Sequence, residues 1–216
     1  YNIELSDRIV VSQEFTLTAD EQQDLVDAGF VGAANISTFQ FYVNDCDTTT
    51  EGVDVVVSYA AEMFGGSTDF NLAYNHNEST VDSFNPDLID NARIKEIEEG
   101  LPENRATLSA THLNGPWRFT LRHNWTDEWY DSEDYTAAGL AADEIGATYD
   151  AYWTADVEVA YSFDNGLSVM AGGTNFTDET PDDNEGAAGT IGNEYSQFAP
   201  LGFNGAFWYG RVAYDF

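Results

Sequence analysis

Several residues in this 216-residue chain are of types that do chemistry elsewhere. Asp182, Asp183 and Glu185, in the run PDDNEG, gather the hard oxygen donors that Ca²⁺ takes. Their spacing lacks the fixed glycine and terminal glutamate of an EF-hand loop, so they read as a solvated loop and not as a metal site. Asp45, Cys46 and Asp47 surround the single thiol, and a soft-metal site needs more than one thiolate. His76, His112 and His123 are too scattered to form a recognisable zinc set. Asp156 and Glu158 stand two residues apart on one side of an extended segment, which a hydrated wall explains without catalysis. No Ser-His-Asp order, glycine-rich phosphate loop or paired-carboxylate signature is visible. Nothing makes a positive case for an enzyme or for a cofactor.

The composition narrows the field. A formal net charge of -32, with Lys+Arg of only 7, excludes a general nucleic-acid binder, because phosphate backbones would be repelled. Most of the acid lies in long polar stretches. Solubility or life in salty water accounts for that, and so does attraction of cations, or of Ca²⁺ bridging to anionic lipid headgroups. No apolar run reaches the roughly 18 residues of a transmembrane helix. A negative mean hydropathy does not exclude a membrane, because barrel strands give only alternate residues to lipid. The chain opens at Tyr1 inside an alternating segment, without Met or a signal peptide, and is expected to be a mature or truncated piece of something longer.

Eight segments alternate with a period of two: 1–11, 38–63, 67–77, 104–113, 117–126, 148–163, 167–176 and 205–216. The last, GAFWYGRVAYDF, sets Trp208, Gly210, Val212, Tyr214 and Phe216 against Phe207, Tyr209, Arg211, Ala213 and Asp215. Its aromatic end fits the closing strand of an outer-membrane barrel. In the first segment Tyr1, Ile3 and Leu5 oppose Asn2, Glu4 and Ser6. Tight turns at 64–66 (FGG), 114–116 (NGP) and 164–166 (DNG) alternate strictly with long polar connections at 12–37, 78–103, 127–147 and 177–204. Short periplasmic turns and long extracellular loops sort themselves this way in an outer-membrane barrel, and a soluble sandwich has no reason to. Arg118, Arg122, Asp156, Glu158, Arg211 and Asp215 fall opposite the aromatic and branched residues and would face a polar lumen. His112 and His123 fall on the lipid side and are expected near the two interfaces. Residues 20–28, after Thr18 as N-cap, and 88–100, ending in Gly100, read as short helices within loops. The expected fold is all-β: one domain over 1–216, a transmembrane antiparallel up-and-down β-barrel wall of about eight strands.

Residues 1–11 (YNIELSDRIVV) and 39–59 (FQFYVNDCDTTTEGVDVVVSY) resemble the late barrel strands of TonB-dependent outer-membrane receptors. Residues 173–178 (GTNFTD) resemble that family's motif near the end of the penultimate strand, and 195–204 (YSQFAPLGFN) with the closing strand resemble its C-terminus. The resemblance implies the C-terminal third of a barrel of about 22 strands enclosing an N-terminal plug, in the bacterial outer membrane. It implies import of a scarce bulky ligand of the iron-siderophore, cobalamin or oligosaccharide type, driven by the TonB complex through an N-terminal part that this chain lacks. It also implies contact with outer-membrane lipid and lipopolysaccharide. Ligand contacts in the family come from loop tips and the inner wall, which makes Trp129, Tyr130, Tyr135, Tyr195 and Phe198 candidate aromatic contacts for a small molecule. Loop packing or an interfacial aromatic girdle explains the same rings. Two rival readings are a self-contained eight-stranded barrel with a structural or adhesive role, and a soluble acidic β-sandwich binding carbohydrate or calcium.

Overall fold

Two-residue and three-residue turns organise the sheet. Phe64 and Gly65 both take positive φ, 51° and 78°, between the paired residues Met63 and Gly66. That is the type I′ geometry whose twist matches the strands on either side. Gly115 (φ 56°) and Pro116 join Asn114 to Trp117, and Asp164-Asn165-Gly166, with Gly166 at φ 84°, join the hydrogen-bonded Phe163 and Leu167.

The computed structural model describes residues 1–131, 146–184, 192 and 194–215. Eight long strands form one antiparallel sheet in chain order: β1 (Asn2–Val11), β4 (Tyr42–Met63), β5 (Gly66–Phe84), β6 (Asn104–Asn114), β7 (Trp117–Thr126), β10 (Tyr152–Ser162), β11 (Leu167–Thr174) and β12 (Phe207–Tyr214). Four short strands lie in the loops: β2 (Phe15–Thr16) pairs with β3 (Thr38–Phe39), and β8 (Trp129–Asp131) with β9 (Ala147–Tyr149). The sheet is open, with β1 and β12 as its edges, so these eight strands do not close on themselves as a self-contained barrel would.

The register sorts the side chains by face. One row runs Tyr59, Phe70, Ala110, Leu121, Val157, Gly173, Trp208, and the row below it Ala61, Thr68, His112, Phe119, Val159, Ala171, Gly210. These rows carry no formal charge and are the lipid face. The intervening rows hold Asp54, Arg105, Asp69, Arg122, Asp156, Glu158, Arg118 and Arg211, which is the polar face of the lumen. His112 and His123 lie on the lipid face as expected. His112 shares its Nδ1 with the Thr68 hydroxyl at 2.8 Å, and His123 stacks on Trp153 at 4.8 Å.

Two consecutive glycines in β11 let aromatic rings lie flat on both faces. A Cβ at Gly172 would sit 2.6 Å from the Tyr209 ring on the lumen side; one at Gly173 would sit 2.8 Å from the Trp208 ring on the lipid side. Each ring thus covers backbone that a glycine leaves bare.

β4 is 22 residues long, about 70 Å at about 3.3 Å per residue, and at barrel tilt it rises roughly twice the height of the ~25 Å apolar band. Its upper half, with β1 and the top of β5, therefore stands clear of the membrane. There the lipid rule no longer sorts faces, and the apolar side of β1 does not follow it. Ile3 pairs with Thr50 and Leu5 with Thr48, which puts both on the lumen side of the sheet. The structure also moves several boundaries, and the segment expected as 148–163 divides into β9 in the loop hairpin and β10 in the main sheet. The segment expected as 38–63 splits into β3 and β4, and the one expected as 67–77 continues to Phe84 because its polar upper end pairs with β4.

A small extracellular core forms on this protruding hairpin. Ile89, Cys46 and Val10 are buried together, flanked by Val43, Val81, Leu88, Ile94 and Ile97. The last two come from helix α2 (Asn91–Glu99), capped by the Asp90 carboxylate accepting from Arg93 N–H at 2.8 Å. α2 also covers the free edge of β5, where Glu98 accepts the Val81 N–H at 2.8 Å. Helix α1 (Ala19–Asp27) starts where the sequence placed it, with a capping box between Thr18 and Glu21. The Thr18 N–H, with the Thr18 hydroxyl beside it, donates to the Glu21 carboxylate and lowers its pKa.

Adjacent valines test the face assignment. Val57 is on the lipid face near mid-height and Val56 on the lumen face. Val57→Arg should destabilise the folded barrel by about 2–4 kcal/mol in a bilayer unfolding titration, and Val56→Arg by no more than about 0.5 kcal/mol.

Candidate functional site

The lumen wall is built from cross-strand polar pairs. Arg118 on β7 meets Glu158 on β10 at 2.9 Å, and Tyr209 on β12 donates to the other oxygen of Glu158 at 3.1 Å. Arg122 meets Asp156 at 3.3 Å. Thr107 donates to Asn124, and Asn124 to Thr154, which ties β6, β7 and β10 in a hydrogen-bonded row. These pairs are partly exposed, so each is worth about 0–1 kcal/mol at most. Their effect is to present a wettable surface. Asp156 and Glu158 have separate partners and do not form an acid–base pair.

At the outer lip, residues 173–178 form a clamp. Asn175 takes φ 47° and ends β11. Its N–H donates to Asp156 at 2.9 Å, its side-chain amide donates to Glu179 C=O at 2.7 Å, and its side-chain oxygen accepts from Glu179 N–H at 3.1 Å. Asp178, also at positive φ, accepts from Ala206 N–H at 2.8 Å and so sets the start of β12.

Above the lip, β8 and β9 make a small hairpin. Trp129 stacks on Tyr149 with centroids 4.5 Å apart and planes 10° apart, and the Lys95 ammonium of α2 lies 4.5 Å over the Tyr130 ring. Asp131 accepts from the buried Ser196 hydroxyl, and Asp150 N–H donates to Asp182 at 3.0 Å, so the third and fourth loops are joined. Between α2 and this hairpin lies a recess of about 290 Å³. Glu99, Glu103, Asp127 and Glu128 line it together with Leu101, Thr148, Trp129 and Tyr130. Burial pushes the Tyr130 phenol up, and the carboxylates of Glu96, Asp131, Asp90 and Glu99 add to that.

The aromatic residues singled out in the sequence meet different fates. Trp129 and Tyr130 are 2% and 5% exposed, packed inside the hairpin assembly. Tyr195 is half-buried and stacked on Phe203, while Phe198 is 52% exposed. Tyr135 and Glu185 lie outside the described residues. The three histidines sit in separate places, and among the described residues no group of three His, Cys, Asp or Glu could hold a metal ion. Cys46 is buried, and burial raises its thiol pKa. Sequence reasoning missed the four carboxylates of the recess. Their signal was present as acidic residues at the ends of elements, in EEGLPE from the end of α2 to the start of β6 and in TDEW after β7, but only the packing of α2 on β8 brings them together.

An uncharged outer face, a charged inner face, tight turns at one end and a built loop assembly at the other define the wall and mouth of an outer-membrane β-barrel. Residues 1–176 match the family model described as TonB dependent receptor-like, beta-barrel. The chain belongs to this family, and its place is the bacterial outer membrane. Among solved structures it is similar to the outer membrane transporter YddB from Escherichia coli, with 12% identity and a TM-score of 0.53, over 84% of this chain and 26% of that one. It is also similar to FpvAI in its complex with pyocin S2, with 14% identity and a TM-score of 0.52, over 96% of this chain and 23% of that one. At these identities the likeness shows the fold. The chain spans about a quarter of the length of either structure. No curated protein matches it in sequence.

Two measurements probe the lip and the hairpin. Asn175→Ala leaves buried backbone groups of the turn unpaired and should cost about 1–3 kcal/mol in thermal unfolding followed by electrophoretic mobility. Because the folded phenol of Tyr130 is raised, its contribution is whole below the ordinary value of 10.0 and is lost as pH climbs through the raised one. The thermal midpoint should therefore fall as pH rises past about 10, and Tyr130→Phe should make that fall smaller.

Proposed function

We propose that this chain supplies barrel wall and extracellular vestibule to a TonB-dependent importer of a scarce bulky ligand, of the iron-siderophore, cobalamin or oligosaccharide class. The observation that carries the reading is the sorting of charge. Every formal charge in the membrane-height rows faces inward, so the sheet bounds a hydrated passage that opens beneath the loop assembly. Family membership supports it, as does the likeness to a transporter. Energy reaches the whole protein through the TonB complex, and the lipid face meets outer-membrane lipid, with lipopolysaccharide around the acidic loops.

In this reading the vestibule makes first contact with the ligand. Phe198 presents an open ring and Tyr195 a half-open one. Trp129 and Tyr130 floor the acidic recess, and Tyr135 belongs to the same loop. The carboxylates around that floor favour a neutral or cationic ligand over a bare anion at the mouth.

Deleting the whole gene and scoring growth and uptake on a panel of siderophores, cobalamin and oligosaccharides tests the proposal. One ligand should lose its uptake while the others keep theirs. Absence of any ligand-specific phenotype overturns an import role. Phe198→Ala should raise the KM for the affected ligand several-fold, with unchanged barrel stability.

A further inference from the structure

We propose that the periplasmic end of the lumen wall carries an oxyanion site built by Arg118 and Arg211. The recess there has a volume of about 380 Å³ and is bounded by β6, β7, β10, β11 and β12. Its polar lining is Arg118, Arg211, Ser162 and Ser168. The register puts the two arginines in one row, Arg118–Ala160–Met170–Arg211, three strand spacings or about 14 Å apart at the backbone. Both side chains point to the lumen, and Ala160 and Met170 stand between them in the floor. Ser162 and Ser168 pair in the row below and add two hydroxyls.

The donors of this recess are largely unspent. Arg118 uses one terminal nitrogen on Glu158, while its Nε is buried and has no partner. The Arg211 guanidinium makes no hydrogen bond or ion pair among the described residues, its backbone alone being paired in the β11–β12 ladder, and the hydroxyls of Ser162 and Ser168 make none either. In a chain with Lys+Arg of 7 and a net charge of -32, two guanidiniums converging on one cavity are a local inversion of the overall field. The facing carboxylates do not cancel it. Glu158, one row above, is already shared by Arg118 and Tyr209, and Asp215 lies four residues, about 13 Å, along the strand from Arg211. A guanidinium fork beside hydroxyl donors recognises a planar or tetrahedral oxyanion, a carboxylate or a phosphate. That chemistry has two sources: a free anion in the periplasm, or a carboxylate of the protein itself reaching into the lumen.

The experiment uses the full-length protein, wild type, Arg211→Gln and Arg211→Lys, each verified as folded by its mobility in unboiled electrophoresis. Calorimetric titration with inorganic phosphate at constant ionic strength reads the free-anion source. Saturable binding that Arg211→Gln weakens at least tenfold, with Arg211→Lys between, supports the site and that source. Thermal unfolding at low and high salt reads the other source. If phosphate does not bind but Arg211→Gln lowers the midpoint by several degrees at low salt, and the difference closes at high salt, the protein's own carboxylate fills the site. Phosphate binding indifferent to Arg211→Gln, or no binding together with unchanged midpoints, overturns the proposal.

Discussion

Hydrocarbon offers no partner to a peptide N–H or C=O, so each backbone group at membrane height must be committed to a neighbouring strand. The rest of the structure follows from that obligation. Unbroken ladders run from β4 through to β12, and a continuous ladder holds side chains to strict alternation. Alternation in turn makes every strand two-faced. The chain answers with uncharged rows against lipid and ion-paired rows against water, and with turns at the periplasmic end tight enough to lose little pairing. The two glycines in β11 belong to the same logic, because the sheet stays paired while its bare backbone is roofed by an aromatic ring on each side.

Above the membrane the obligation lapses, and local chemistry takes over. Water satisfies backbone groups there, so strands are free to end, bulge or turn outward. β1 shows a register shift near Asp7, a non-glycine residue at positive φ whose N–H is held by Asp47. Stability in this region comes from a modest apolar core, capped helices and side chains that bind loop backbone. Asn175 and Asp178 do for the last two strands what α2 does for the first hairpin.

How much of this could be read from the residues follows the same division. The membrane-height strands were legible because hydrocarbon forces a period-two code. Residues 117–126 and β7 coincide, and the closing strand differs from expectation by about two residues at its start. The helices were legible, the first from its Thr18 cap and early acids and the second from its apolar spacing and closing Gly100, although the Asp90 cap starts it three residues later than the expected 88. What stayed hidden depends on contacts distant in sequence. The upper end of β5 looked like loop because ESTVDSF is polar on both faces. The burial of Trp129 could not be seen because its stacking partner, Tyr149, lies twenty residues away. The lumen side taken by Ile3 and Leu5 could not be read from their type, because apolar character marks lipid only where there is lipid.

The height of the β4–β5 hairpin has a consequence for whatever meets this cell from outside. A ribbon that overtops the bilayer lifts its first loop away from the headgroups, and that loop bears Phe30 and Val31, 66% and 72% exposed. The same loop carries Glu14, Asp20, Glu21, Asp24 and Asp27 and no basic residue, so bare apolar side chains and negative charge stand side by side at the top of the ribbon.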